Sequence, residues 1–177
     1  MDLTDAHSRM VRDLYLDTER KANRNMADPP EYDLQQSTSD FYQDWLRNTE
    51  YSVERERGGK VDVLIYRNGQ EHVFYELKTY FKPNENIRKK ELVNDAKKLA
   101  KKKREADEGA RSYLLIAGRK NKLTNSSVPG FVRSHVEGDR TYFSLPGSAL
   151  VRLRPSRKEV PSGATFVMTW EVIVNTE

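Results

Sequence analysis

The sequence predicts an α/β fold, a mixed central sheet flanked by helices, and three observations predict it. Short apolar runs of strand length occur at Val61–Tyr66, Val73–Leu77 and Tyr113–Ala117. Between the last two lies a longer, lysine-rich segment whose apolar residues Leu92, Val93, Ala96, Leu99 and Ala100 recur at helical spacing. Beyond Gly118 the pattern turns β-like, with apolar and polar residues alternating at period two in the last segment. Strands followed by a helix and another buried strand specify an antiparallel portion joined to a crossover. At 177 residues the chain suits one domain with a sizeable core.

Element by element, Asp5 to Ala22 reads as a helix with Met10, Val11, Leu14 and Thr18 on one face. The Pro29-Pro30 pair closes the polar segment after it. A second helix is expected after the polar connector 35–39, capped by Thr38 or Ser39, with Phe41, Tyr42, Trp45 and Leu46 inward. Residues 1–37 therefore read as an N-terminal helical appendage, suited to dimerisation or DNA contact. The core, 38–118, continues with strands at 51–57, 61–66 and 71–80. A break at Pro83 follows, then a helix at 86–106 and the strand at 113–117, which its unbroken apolar run marks as buried on both faces. Residues 119–177 read as a β-rich C-terminal extension of the same domain. In its last strand Phe166, Met168, Trp170, Val172 and Val174 share a face. Residues 119–122 and 152–158 read as basic loops.

Composition narrows the function. With no cysteine there are neither disulfides nor thiolate metal sites. No apolar run nears the ~20 residues that span a bilayer, and the N-terminus lacks the pattern of a secretory signal. A cytoplasmic protein without membrane contact is the expectation. His7 in the first helix, His72 opening a hairpin strand and His135 in a loop lack zinc-ligand spacing. Neither Gly58-Gly59 nor Gly118-Arg119-Lys120 forms a Walker loop, so no nucleotide cofactor is expected. Net charge is only +4, yet ten Lys/Arg against four acids lie between Lys82 and Glu105. Such a cluster can neutralise several phosphates.

The chemistry lies in the hairpin. Asp62 and the triplet Glu76-Leu77-Lys78 are set in two apolar strands, where a carboxylate is costly unless it is paired or holds a metal. Two acids and a lysine on neighbouring strands suggest a hard-cation site with an amine beside it, and so phosphodiester hydrolysis. These residues, over about 38–118, resemble the PD-(D/E)xK nuclease superfamily of restriction endonucleases and Holliday-junction resolvases. Val61 stands where the family name has its proline. The resemblance implies a restriction-endonuclease-like sheet and a Mg²⁺ ion, with Mn²⁺ as substitute, held by Asp62, Glu76 and the Leu77 carbonyl. It further implies that Lys78 orients the attacking water. A further acid on the preceding helix falls to Asp40, with Asp44 as rival; Glu54 and Glu56 on the first strand are further candidates for the site. DNA is the implied substrate, with RNA as the alternative, contacted by Lys82, Arg88, Lys89, Lys90, Arg119 and Lys120. Asp95 and Lys98 read as surface partners one helical turn apart. A homodimer would be needed to cut both strands of a duplex. The competing readings are a non-catalytic nucleic-acid-binding subunit on the same scaffold and an interaction protein that presents its charged helix.

The reading makes a geometric demand. Glu76 and Lys78 share a strand face, and Asp62 must share it too. A plain two-residue Asn68-Gly69 turn would pair 62 with 75 and put Asp62 on the wrong face. A three-residue turn, or an equivalent bulge elsewhere in the hairpin, is therefore required.

Overall fold

Alternate residues along the strands sort into two apolar layers, one on each face of a single sheet. The computed structural model describes residues 2–23, 31–55, 61–160 and 163–175. Its strands are β1 (Tyr51–Arg55), β2 (Val63–Arg67), β3 (Gln70–Tyr80), β4 (Arg111–Arg119), β5 (Phe143–Ser144), β6 (Val151–Glu159) and β7 (Thr165–Val174). They form a seven-stranded mixed sheet in the order β1-β2-β3-β4-β7-β6-β5. Only β3 and β4 pair in parallel, and the connection between them carries helix α3 (Lys89–Glu105).

Helices α1 (Leu3–Asn23) and α2 (Glu31–Trp45) pack on one face. Met10, Val11, Leu34 and Tyr42 there meet Val63, Ile65, Tyr75, Leu77 and Leu115. On the other face α3 and α4 (Gly130–Glu137) bring Leu92, Ala96, Leu99, Phe131 and Val132 onto Leu64, Phe74, Ile116, Met168 and Trp170. The expected inward face of the last strand is present: Phe166, Met168, Trp170 and Val172 are fully buried.

Several elements differ from expectation. Helix α1 is a layer of the fold rather than an appendage, since Ala6, Met10 and Val11 are wholly buried against the sheet. Helix α2 begins at Glu31, right after the proline pair, so Thr38 and Ser39 are buried mid-helix residues and not caps. Proline suits a first helical turn, where its missing N–H costs nothing. Residues 120–124 form a 3-10 helix, in which the buried Lys122 donates to the Pro83 carbonyl at 2.7 Å. The basic stretch 152–158 lies within β6 and not in a loop. His135 is on α4, buried, with Nε2 3.1 Å from the Thr169 carbonyl. His7 is buried as well, in contact with the Tyr75 hydroxyl (2.8 Å) and Thr169 Oγ1 (3.1 Å), and its ring stacks on Tyr113. Burial pushes its pKa down to about 3.

The hairpin meets its geometric demand by the second route. Asn68 and Gly69 both have positive φ, as a type I′ two-residue turn needs, and Arg67 pairs with Gln70. The register then shifts between Ile65 and Tyr66: Tyr66 faces Glu71 but Ile65 faces Val73. His72 is the extra residue of a β-bulge. From Val63 opposite Tyr75, the next residue down sets Asp62 opposite Glu76, on one face.

Candidate active site

The centre of β3 supplies Glu76 and Lys78 on the α3 face, and Asp62 adjoins them from the start of β2. Asp62 is 4 % exposed and Glu76 2 %. Asp62 is held by two donors: Gln35 Nε2 to Oδ1 at 2.9 Å and the Leu77 N–H to Oδ2 at 2.6 Å. Leu77 thus contributes its amide to the site, while its side chain fills the opposite core.

Around this pair the two helix layers add residues. Lys98 Nζ on α3 lies 2.6 Å from Glu76 Oε1. Lys78 Nζ sits between Glu31 Oε1 of α2 (3.6 Å) and Asp95 Oδ2 of α3 (3.8 Å). Burial pushes the Glu76 carboxyl up to about 7, with Asp62 adding to the rise and Lys98 opposing it. Burial also raises Asp95, against the pull of Lys78 and Lys98. For Lys78 burial acts to lower the pKa, but Asp95 and Glu31, then Asp62 and Glu76, outweigh it and raise it. Lys78 is therefore an ammonium at neutral pH.

Six buried side-chain atoms among the described residues have no hydrogen-bond partner, and three are oxygens: Glu76 Oε1, Tyr80 Oη and Asp95 Oδ2. All three belong to this corner of the fold; the others are nitrogens of Trp45, Arg55 and Trp170. Glu76 Oε1 meets Lys98 Nζ as an ion pair without hydrogen-bond geometry. A buried oxygen without a protein partner is satisfied by ordered water or by an ion. Beside them opens a cavity of about 680 Å³ lined by Glu31, Lys78, Tyr80, Asp95 and the 82–88 loop. Lys122 and Asn125 tie that loop down, through Pro83 and Asn86. At Gly118 a Cβ would stand 2.6 Å from the Tyr80 carbonyl oxygen, so glycine lets β4 run close beside the end of β3.

The sequence-predicted residues divide. Asp62, Glu76 and Lys78 come together as required. Asp40 does not join them: it is exposed on α2 and bonded to Gln36, and Asp44 pairs with Arg47 at the surface. The helix acid at the site is Glu31. Glu54 is exposed and accepts from the Tyr66 hydroxyl, and Glu56 lies outside the described residues. Of the six expected phosphate contacts, Lys82 and Arg88 line the cavity, beside Glu85 and Glu91. Lys89 lies over the Phe143 ring, Lys90 is exposed on α3, Arg119 ends β4 and Lys120 opens the 3-10 helix. Glu31 and Gln35 lie ahead of the expected second helix, so their i,i+4 spacing gave no signal until α2 is seen to start at Glu31. Asp95 and Lys98 border the buried stripe of α3, and that edge position was the one signal that they face the sheet and not solvent.

No family model matches the chain, and no match was found among curated proteins or solved structures.

Proposed function

We propose that the chain is a metal-dependent phosphodiesterase of PD-(D/E)xK type acting on DNA, built on a restriction-endonuclease-like core. The observation that carries this reading is the cross-strand pair Asp62 and Glu76, buried on one face with Lys78 two residues on and unsatisfied oxygens beside it. The succession β1-β2-β3-α3-β4, three antiparallel strands and a parallel crossover, supports it.

The residues present fit a hard divalent cation. No three His, Cys, Asp or Glu among the described residues stand close enough to cage an ion alone. Magnesium takes only one or two protein carboxylates and keeps several waters, a demand that Asp62 and Glu76 meet. When bound, it would polarise the phosphate and acidify a water. Gln35 and the Leu77 amide fix the Asp62 carboxylate, as outer partners of a metal ligand do. Lys78, held charged by Glu31 and Asp95, orients water and stabilises charge gathering on phosphorus rather than acting as a base. Lys82 and Arg88, which line the cavity, would meet the flanking phosphates. One chain with one such centre cuts one strand, so duplex cleavage requires two chains.

The test is nicking of supercoiled plasmid and hydrolysis of single-stranded DNA in Mg²⁺ or Mn²⁺. Lys78→Met should fold normally and lose cleavage by at least ~10²-fold. Undiminished hydrolysis by that variant would remove Lys78 from the mechanism. Salt-dependent DNA binding without cleavage by the unaltered protein would move the reading to a non-catalytic binding subunit.

A further inference from the structure

We infer that Lys98 is a positioning residue that stands in for the divalent cation on Glu76 and passes to Asp95 when the cation enters. This deepens the cation-site reading above and rests on it. Lys98 Nζ is 2.6 Å from Glu76 Oε1, an oxygen with no hydrogen bond from any other group. The two partners differ in freedom: the Glu76 side chain is 3 % exposed and that of Lys98 36 %. Glu76 is locked in the sheet, whereas the lysine, on a long flexible stem, has a route to water. A single ammonium and a divalent ion cannot both occupy that oxygen's open side, so their binding is competitive.

The displaced charge has a receiver. Asp95 lies three residues before Lys98 on α3, within reach of it along the helix face. Its Oδ2 is buried, without a hydrogen bond, and 3.8 Å from Lys78. An acid so placed gains a partner when Lys98 leaves Glu76, and the helix needs no rearrangement for the exchange. In the cation-free protein the same lysine holds Glu76 in its inward orientation and offsets the buried charge.

The experiment is Mn²⁺ titration by calorimetry on the full chain, with thermal melts to establish folding of each variant. Lys98→Met should tighten Mn²⁺ binding about tenfold, since a competitor worth about 1.4 kcal/mol is gone. Lys98→Arg, which keeps the charge, should stay near the unaltered affinity. Asp95→Asn should weaken binding more in the presence of Lys98 than in the Lys98→Met background, where only its pairing with Lys78 is lost, and a double-mutant cycle reads that coupling directly. A structural lysine predicts instead equal or weaker Mn²⁺ binding in Lys98→Met, and that result overturns the inference. So does an Asp95→Asn effect of the same size with and without Lys98. Identical Mn²⁺ binding by the unaltered protein and Glu76→Gln is a different outcome: it removes the cation site itself.

Discussion

Glu76→Gln should make the cation-free protein more stable at alkaline pH. Burial pushes the Glu76 carboxyl up to about 7 in the fold, from 4.5 for an ordinary glutamate. Between those values the folded state holds a proton that the unfolded chain has lost. Stability therefore falls as pH rises through this window. A gap of about 2.5 units at 1.36 kcal/mol each is about 3 kcal/mol. Glutamine keeps the shape and cannot ionise, so that loss disappears. Relative to the unaltered protein, Glu76→Gln should be near neutral at pH 4.5 and more stable by up to about 3 kcal/mol at pH 8. For a chain of this size that is roughly a 6–12 °C rise in Tm. Lys98 loses its ion pair with Glu76 but is exposed enough to be resolvated there, which trims the gain without reversing it. The assay is urea unfolding followed by circular dichroism, in chelator, at half-unit pH steps. Comparing the two proteins at each pH cancels every other titrating group. A difference that does not change with pH, or one that moves against the variant at pH 8, would refute the argument.

Other expectations follow from the same geometry. Metal-dependent cleavage should fall about tenfold per pH unit below pH 7, as Glu76 takes up its proton, and raising Mn²⁺ should move that limb to lower pH. His7, buried with its pKa pushed down to about 3, stays neutral while the unfolded chain protonates below about 6.5. Its contribution is therefore lost as pH falls, by up to about 4–5 kcal/mol at pH 3. His7→Gln should flatten that acid limb in unfolding titrations. Met10→Ala should cost ~2–5 kcal/mol, the loss expected of a core methionine and not of an appended helix. Gly118→Ala should destabilise by ~1–3 kcal/mol, measured in the same way, because the new Cβ meets Tyr80 backbone and not a yielding side chain.

What could be read from the chain was what repeats at a fixed period. Glu76 and Lys78 share a face because strands alternate, and the inward row Phe166 to Val172 follows from the same rule. Helix α3 announced itself through five apolar residues at helical spacing. What could not be read depends on docking. Helix α2 was started too late because a proline pair closes one segment and opens a helix equally well. That error hid Glu31 and Gln35, which sit in its first turns and reach the site only because α2 crosses the start of β2. Helix α4, at 8 residues, is too short to display a period. Asp95 and Lys98 have the spacing of an ordinary surface pair. Their role comes from α3 lying over β3, and no local pattern encodes that.

The bulge at His72 shows how narrowly the site depends on strand parity, and it permits a sharp test. Arg67 opposite Gln70 and Tyr66 opposite Glu71 belong to a regular two-residue hairpin. Continued without interruption, that register would set Asp62 opposite Tyr75, on the α1–α2 face, and separate the two carboxylates. The one unpaired residue moves the partner to Glu76. Because His72 is that residue, removing it should not scramble the hairpin. Ile65 would still face Val73, the register below would be unchanged, and the turn would simply become regular. The parallel ladder with β4 begins only at Val73, so no pairing there depends on His72. Its side chain is half-buried, with a ring contact to Tyr51 at 6.0 Å. Deletion of His72 should therefore leave Mn²⁺ binding intact and cost no more than about 1–2 kcal/mol. Loss of Mn²⁺ binding in a deletion variant that still melts cooperatively would show that the bulge sets more than parity. The register argument for Asp62 and Glu76 would then fail.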